Sequence, residues 1–181
     1  MGKTRLGFDI GSSSLKIAVL RGNEARMEEI RLPENMVDGT GAIILPHAFA
    51  QFLKQTKKEL SLPRGPAALA LPPSQVICRL VTMPRMTTEQ LLLNLPYEFS
   101  DFIQGVADQY HCEYAVCAPA GEDSEAQGVP MMAAAAAKQT LAEYTRIFAQ
   151  AGLRLKRVLP QEMALIQLCQ ARGAGADEFC F

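Results

Sequence analysis

Short apolar runs and polar breaks alternate at the start of the chain. Leu6–Ile10 is apolar and β-prone, and Gly11–Ser14 then interrupts it with one glycine and three serines. Leu15–Arg21 and Ala25–Leu32 resume the pattern on either side of a Gly22-Asn23 turn. Runs of this kind, separated by tight polar turns, are typical of antiparallel strands. The pattern therefore predicts a three-stranded meander.

The segments after the meander alternate between helical and strand patterns. Apolar residues recur at helical spacing from Ala48 to Leu60 and predict an amphipathic helix, and the short apolar run Ala67–Leu71 predicts a buried strand. The last third of the chain repeats this alternation. It predicts a helix over 139–151 with Gly152 as its C-cap, a strand over 153–159, a helix over 160–170 that begins near Pro160, and a strand over 177–181.

The middle of the chain has a different pattern. Val76–Met83 predicts a strand, and Thr87 with Gln90 three residues later predicts a capping box at the start of a leucine-rich helix. Pro96 predicts a kink or break in that helix. Residues 110–117 and 129–137 predict two more strands, of which the second is an alanine run suited to a tightly packed central position. The acidic segment 119–128 between them predicts a flexible loop.

These patterns divide the chain into three parts. Residues 1–74 and 138–181 would form one α/β lobe, and residues 75–137 would form a compact α+β unit inserted between them. The change from a β-meander to strand, helix, strand, loop and strand is the reason for this division. We expect Val76–Met83 to pair outside the sheet that contains Leu6–Ile10.

Composition and charge exclude several kinds of protein. The chain has 49% hydrophobic and 20% charged residues, which is typical of a globular protein. Its net charge is −1 without a visible basic stripe, so we expect no nucleic-acid partner. No apolar run is long enough for a membrane span or signal peptide. Among the five cysteines, Cys112 and Cys117 could in principle bind metal, although semi-buried strand thiols are the simpler interpretation.

Residues 9–16 carry the candidate chemistry. Asp9 lies at the end of a strand, Gly11 permits a tight turn, and Ser12, Ser13 and Ser14 offer successive N–H groups and hydroxyls to an anion. Lys16 can place a positive charge on the same phosphate. Because a carboxylate cannot face phosphate without a cation between them, Asp9 implies Mg²⁺ held through water. A serine-rich hairpin turn without a ligand would use the same residue types.

The segment Asp9–Lys16 resembles the first phosphate motif of the superfamily of actin, heat-shock chaperones and sugar kinases, in which Asp-x-Gly-Ser/Thr-x-x-x-Lys bridges the first two strands. Within it the chain is most similar to the PilM family of pilus-assembly proteins, and more distantly to the cell-division protein FtsA. The resemblance to PilM extends through Val37–Gly39, Leu71–Arg79 and Met83–Met86. It implies an α/β fold, a ribonuclease-H-like (actin-like ATPase) first lobe with an inserted small α+β subdomain.

The segment Leu159–Leu165 resembles the helix that leads into the second phosphate motif of the superfamily. A polar residue near its start orients the attacking water in active members, and Gln161 is the candidate here, although an ordinary polar residue at a helix N-terminus is the alternative. No second Asp-x-Gly motif follows by Phe181. We therefore expect a first lobe only, with the second lobe absent from these residues.

The resemblance implies a cytoplasmic component of a type IV pilus or related secretion machine, held at the inner face of the membrane through a partner. It would bind a cytoplasmic peptide of an inner-membrane pilus assembly protein, self-assemble through the insert, and, when full length, bind ATP and Mg²⁺. We expect these residues alone to be inactive as an ATPase. A sugar-type kinase of the same superfamily and a nucleotide-free interaction module are the alternatives.

Overall fold

The computed structural model describes residues 4–103, 105–117 and 128–171, with the side chains of 168–171 left aside. The chain divides into two compact units. The first unit combines Met1–Ser74 with Ala142–Phe181, and the second comprises Gln75–Leu141. The loop predicted over 119–128 (apart from Gly128) and the strand predicted over 177–181 lie outside the described residues.

The first unit contains a five-stranded mixed sheet. Its strands are β1 (Thr4–Ile10), β2 (Ser14–Arg21), β3 (Glu24–Arg31), β4 (Pro66–Leu71) and β8 (Arg154–Pro160), in the spatial order β3-β2-β1-β4-β8. The meander β1-β2-β3 is antiparallel as predicted, whereas β4 runs parallel to both β1 and β8. Because parallel neighbours need crossover connections, a helix precedes each of β4 and β8.

Those helices are α1 (Pro46–Glu59) and α3 (Lys138–Gln150), and a further helix, α4 (Gln161–Ala171), follows β8. Along β1 the side chains of Leu6, Phe8 and Ile10 are buried, in the alternation that a half-buried strand produces. Phe148 of α3 meets Phe8 edge to face, with ring centroids 5.1 Å apart and an interplanar angle of 88°. This geometry suits the quadrupoles of two aromatic rings, so the pair fixes α3 on β1.

The second unit contains a separate three-stranded antiparallel sheet. It consists of β5 (Ile77–Met83), β6 (Tyr110–Val116) and β7 (Val129–Ala137), in the order β5-β7-β6. The alanine-rich β7 is the central strand, as its pattern predicts. Among the described strands, β5 pairs with β7 and not with β1.

Helix α2 (Thr88–Asn94) packs on this sheet and begins at the predicted capping box. The Thr87 hydroxyl accepts a hydrogen bond from the Gln90 N–H, and the Gln90 side chain accepts one from the Thr87 N–H. The helix ends before Pro96, and the chain continues as a 3-10 helix over Leu95–Phe99. The predicted break is therefore confirmed. The core that joins helix and sheet comprises Val81, Met83, Leu91, Leu95, Phe99, Met131, Ala133 and Ala135.

The cysteine interpretation holds for Cys112, which is partly buried in β6, but it is wrong for Cys117, which is exposed just after that strand. The strand ends at Val116, so Cys117 leaves the packed sheet. Among the residues that the structure describes, no helix combines the length and apolar character needed to cross a membrane.

We expect Phe148→Ala to destabilise the first unit by about 3–5 kcal/mol, because it removes a fully buried ring and leaves a cavity against Phe8. Amide hydrogen exchange of β1 and β4 measures this loss. Tyr97→Ala is the control, since Tyr97 is 73% exposed and its truncation should change stability by less than about 0.5 kcal/mol. Equal protection of β1 in both variants would contradict the assigned packing.

Candidate functional site

The loop between β1 and β2 is the candidate phosphate-binding site. Antiparallel pairing places Ile10 opposite Leu15 and Asp9 opposite Lys16, so only Gly11, Ser12 and Ser13 remain to make the turn. The Gly11 N–H donates to the Ser14 carbonyl at 2.9 Å and closes this turn. The tight hairpin follows from local sequence, because the polar Gly-Ser run separates two strands that are buried on one face.

Asp9 and Lys16 lie side by side on the face of the sheet opposite to Phe8. The Lys16 Nζ is 3.8 Å from Asp9 Oδ2, and the two side chains are 49% and 29% exposed. Gln161 at the first residue of α4 donates from Nε2 to Asp9 Oδ1 at 3.3 Å. The structure thus brings together the three predicted polar side chains, although Gln161 and Asp9 are distant in sequence.

The serine segment differs from residue to residue in what it can offer an anion. The Gly11 N–H is already used within the turn, and the Ser13 carbonyl accepts from the Leu32 N–H at 2.9 Å. Ser12 and Ser13 are exposed, and within the described part of the chain neither backbone N–H donates to a protein acceptor. Ser14 directs its hydroxyl to Glu29 Oε1 at 2.7 Å. Ser12 and Ser13 are therefore the available backbone donors.

Two acidic residues near the predicted motif were missed by sequence reasoning. Glu29 of β3 lies opposite Lys16 of β2 in the antiparallel register, and its Oε1 accepts the hydrogen bond from the Ser14 hydroxyl. The Gly22-Asn23 turn could have revealed this pairing, because a two-residue turn fixes the register of the whole hairpin. Glu162 follows Gln161 on α4, and its Oε2 is buried without a hydrogen-bond partner among the described residues. No local pattern in the sequence marks that oxygen.

A turn from another part of the chain contacts the loop. Asp38 Oδ1 accepts from the backbone N–H of Thr40 and of Ala42 and from the Thr40 hydroxyl, and these hydrogen bonds lower the pKa of Asp38. The turn brings Gly41, with φ of 84°, against the loop backbone. A Cβ at Gly41 would lie 2.8 Å from the Ile10 carbonyl oxygen, so only glycine fits at this approach.

Tyr144 of α3 belongs to the same region. Burial, with the negative charges of Glu143 and Asp38, raises the pKa of Tyr144 to about 12. The phenol is therefore neutral at physiological pH. Its hydroxyl is buried and has no hydrogen-bond partner among the described residues.

The residues present fit a phosphate and a hydrated Mg²⁺ approached from one side. The two free N–H groups of Ser12 and Ser13 and the ammonium of Lys16 suit phosphate oxygens, and the partly buried carboxylate of Asp9 suits a water of the magnesium shell. The described residues contain no cluster of three or more His, Cys, Asp or Glu. A metal at this site would therefore depend on water and phosphate oxygens for most of its ligands.

The chain matches the model of a known protein family. The family model described as type IV pilus assembly protein PilM matches residues 7–164. A comparison with curated proteins found no match.

Solved structures also resemble the chain, and two of them are informative about its fold. The first, described as a PilM-PilN type IV pilus biogenesis complex, aligns with a TM-score of 0.79 at 25% identity over 93% of this chain and 50% of that chain. The second is the cytoplasmic domain of EpsL, an inner-membrane component of the type II secretion system of Vibrio cholerae. It aligns with a TM-score of 0.56 at 17% identity over 87% of this chain and 57% of that chain. The chain thus spans about half the length of these relatives. The predicted α/β, actin-like fold class is confirmed, whereas the inserted subdomain and the absence of a second lobe stay predictions.

We expect Gly41→Ala to destabilise the first unit by about 1–3 kcal/mol, because it combines an unfavourable positive φ with a clash against Ile10. Urea unfolding measures the loss, and the amide resonances of Gly11–Ser14 should shift. Gly39→Ala is the matched control, since a Cβ there meets nothing within 4 Å. If both variants were equally stable with unshifted loop resonances, the contact between the turn and the loop would be refuted.

Proposed function

The chain belongs to the PilM family of type IV pilus assembly proteins, and from this premise we propose that it acts as a cytoplasmic, actin-like component of a pilus or related secretion machine. The family match over residues 7–164 carries the proposal. The similarity to the PilM-PilN complex supports it, because that solved structure joins a relative to an assembly partner. In this proposal the protein is held at the inner face of the membrane by its partner.

The second unit offers two features for binding an extended cytoplasmic peptide of an inner-membrane partner. Strand β5 lies at one edge of its sheet, so its outer N–H and C=O groups can pair with an added strand. The second unit also exposes large apolar side chains, which can contact alternate residues of a peptide: Leu80, Leu92, Leu93, Tyr97, Phe102, Val106 and Val116. Leu91 and Leu95 of the same helical segment are buried in the core, so a peptide could contact only the exposed Leu92 and Leu93 there. Self-assembly would use the same free edge of β5.

Nucleotide binding is the second part of the proposal. Ser12 and Ser13 would donate their N–H groups to phosphate, Lys16 would neutralise it, and Asp9 would hold Mg²⁺ through water. Gln161, already hydrogen-bonded to Asp9, would position a water molecule. The bound Mg²⁺ would supply charge neutralisation at the phosphates. In the full-length protein the adenine and ribose contacts would come from a second lobe.

The alternatives differ in what supports them. Membership of an assembly family favours the assembly role over a sugar-type kinase, and the second unit exposes several large apolar side chains, which suit contact with a peptide better than with a sugar. A nucleotide-free interaction module would keep the same fold and the same peptide surface. Measurement of ATP binding to the full-length protein separates this module from the proposal.

We expect a peptide from the cytoplasmic segment of the PilN-like protein of the same organism to bind this chain. Leu80→Glu should weaken binding about tenfold, because Leu80 is 65% exposed on the edge strand β5 and the substitution places a charge beside the added strand. Leu20→Glu is the matched control, since Leu20 is exposed in the first unit and should leave affinity unchanged. Fluorescence anisotropy gives the constants. No binding at about 1 mM peptide would count decisively against the proposal.

We expect these residues alone to bind Mg-ATP no more tightly than millimolar and to show no hydrolysis. The phosphate donors approach from one lobe, and every missing interaction of about 1.4 kcal/mol weakens affinity tenfold. Isothermal titration calorimetry measures the affinity for Mg-ATP. The variant Asp9→Ala tests the contribution of the candidate site, and Asp101→Ala is its control. A micromolar dissociation constant that Asp9→Ala abolishes and Asp101→Ala preserves would show that the second lobe is not needed.

A further inference from the structure

Two adjoining cavities lie in the first unit, at the end of the sheet opposite to the Gly11–Ser14 loop. They measure about 510 Å³ and about 790 Å³ and share Lys57 and Gly152 in their walls. The walls come from the last turns of α1, the segment that leads into β4, and the segment between α3 and β8. Since β4 and β8 run parallel to β1, their first residues lie at the far end of the sheet from the loop that follows β1. We call the two cavities together the basic groove.

Every charged residue that lines the basic groove is positive: Lys54, Lys57, Lys58, Arg64 and Arg154. Lys57 already donates to the Gly152 carbonyl at 2.6 Å and so ties the end of α1 to the end of α3. Among the described residues the other four form no salt bridge. Glu59, their nearest acidic neighbour in sequence, accepts a hydrogen bond from Gln55 and lines neither cavity.

This concentration of charge is a product of folding, since the net charge of the whole chain is only −1. The four unpaired cations come from three separate segments, and each side chain is exposed. Like charges gathered in a concave surface repel one another and raise the local potential. An anionic ligand would relieve this repulsion.

The remaining lining residues indicate the class of ligand. Leu62 and Leu153 contribute apolar surface, and among the described residues no aromatic side chain lines either cavity. Single-stranded nucleic acid is held by a basic groove together with aromatic side chains on which the bases stack, and the aromatic side chains are missing here. A flat bilayer surface cannot follow the walls of a concave groove. An extended peptide with carboxylates and small apolar residues matches both the charge and the shape.

We propose that the basic groove docks an acidic peptide segment of a protein partner. The site lies at the end of the sheet opposite to the phosphate loop, and all its lining residues belong to the first unit. It would allow the protein to hold a second partner, or a second segment of one partner, while its other surfaces are occupied. This proposal depends on neither nucleotide binding nor the peptide site described above.

A fluorescein-labelled octaglutamate peptide tests the proposal with the 181-residue chain. We expect saturable binding at low ionic strength that weakens several-fold as salt screens the charges. The triple variant Lys54→Glu, Lys58→Glu, Arg154→Glu should weaken binding about tenfold or more. The control variant Arg21→Glu, Arg31→Glu, Arg85→Glu has the same net charge and alters exposed cations outside the groove. It should retain affinity within about twofold of the unchanged chain.

The two triple variants distinguish binding in the groove from a general response to net charge. Loss of binding in the groove variant alone, with unchanged thermal unfolding, supports the proposal. Equal loss in both variants would show a response to net charge only and would overturn it, as would the absence of saturable binding at low salt. Octauridylate and vesicles containing phosphatidylglycerol are run in parallel. Tight binding of either probe that depends on the groove, with no binding of the peptide, would also overturn the assignment to an acidic peptide.

Discussion

The alternation of side chains along β1 is the constraint on which the rest of the first unit depends. Leu6, Phe8 and Ile10 must face the core, where Phe8 meets Phe148 of α3. Because successive side chains of a strand point to opposite faces, this burial forces Asp9 onto the other face. Antiparallel pairing then fixes Lys16 beside it. The polar pair of the candidate site is thus a consequence of how the apolar positions are buried.

Strand order extends this constraint to more distant parts of the chain. The parallel placement of β1, β4 and β8 brings the carboxyl ends of the three strands to one edge of the sheet. The loop after β1 and the start of α4 after β8 therefore meet, which explains the hydrogen bond from Gln161 to Asp9. The opposite edge gathers the segments that precede β4 and β8. One sheet consequently carries two chemically distinct ends, a serine-rich loop at one and a cluster of cations at the other.

The second unit follows a different packing principle. Its central strand contains small alanine side chains, so Phe99 and the buried leucines can fill the space between α2 and the sheet. A sheet of only three strands leaves two edges and many apolar side chains outside its small core. The exposed apolar side chains are therefore a by-product of a unit that is too small to bury them all. Exposed leucines and aromatic residues in such a position are typical of interaction surfaces.

Local sequence was sufficient for features whose partners lie close along the chain. The meander, the capping box at Thr87, the break before Pro96 and the C-cap at Gly152 depend on residues within one or two turns of one another. The proximity of Asp9 and Lys16 also follows from a single hairpin. The alanine run was correctly assigned to a central strand because it lies between two turns.

Only the tertiary structure decided which distant residues meet. Gln161 reaches Asp9 across 152 positions, and Gly41 lies against the Ile10 carbonyl. The cations of α1 and β8 share one groove, although the sequence alone suggested no basic surface. The burial of Glu162 Oε2, which has no hydrogen-bond partner in the described part of the chain, likewise depends on its tertiary surroundings. Periodicity and turn residues determine each element, because those interactions act within a few residues. The order in which strands join a sheet depends on packing between elements far apart in the chain, and local pattern does not encode it.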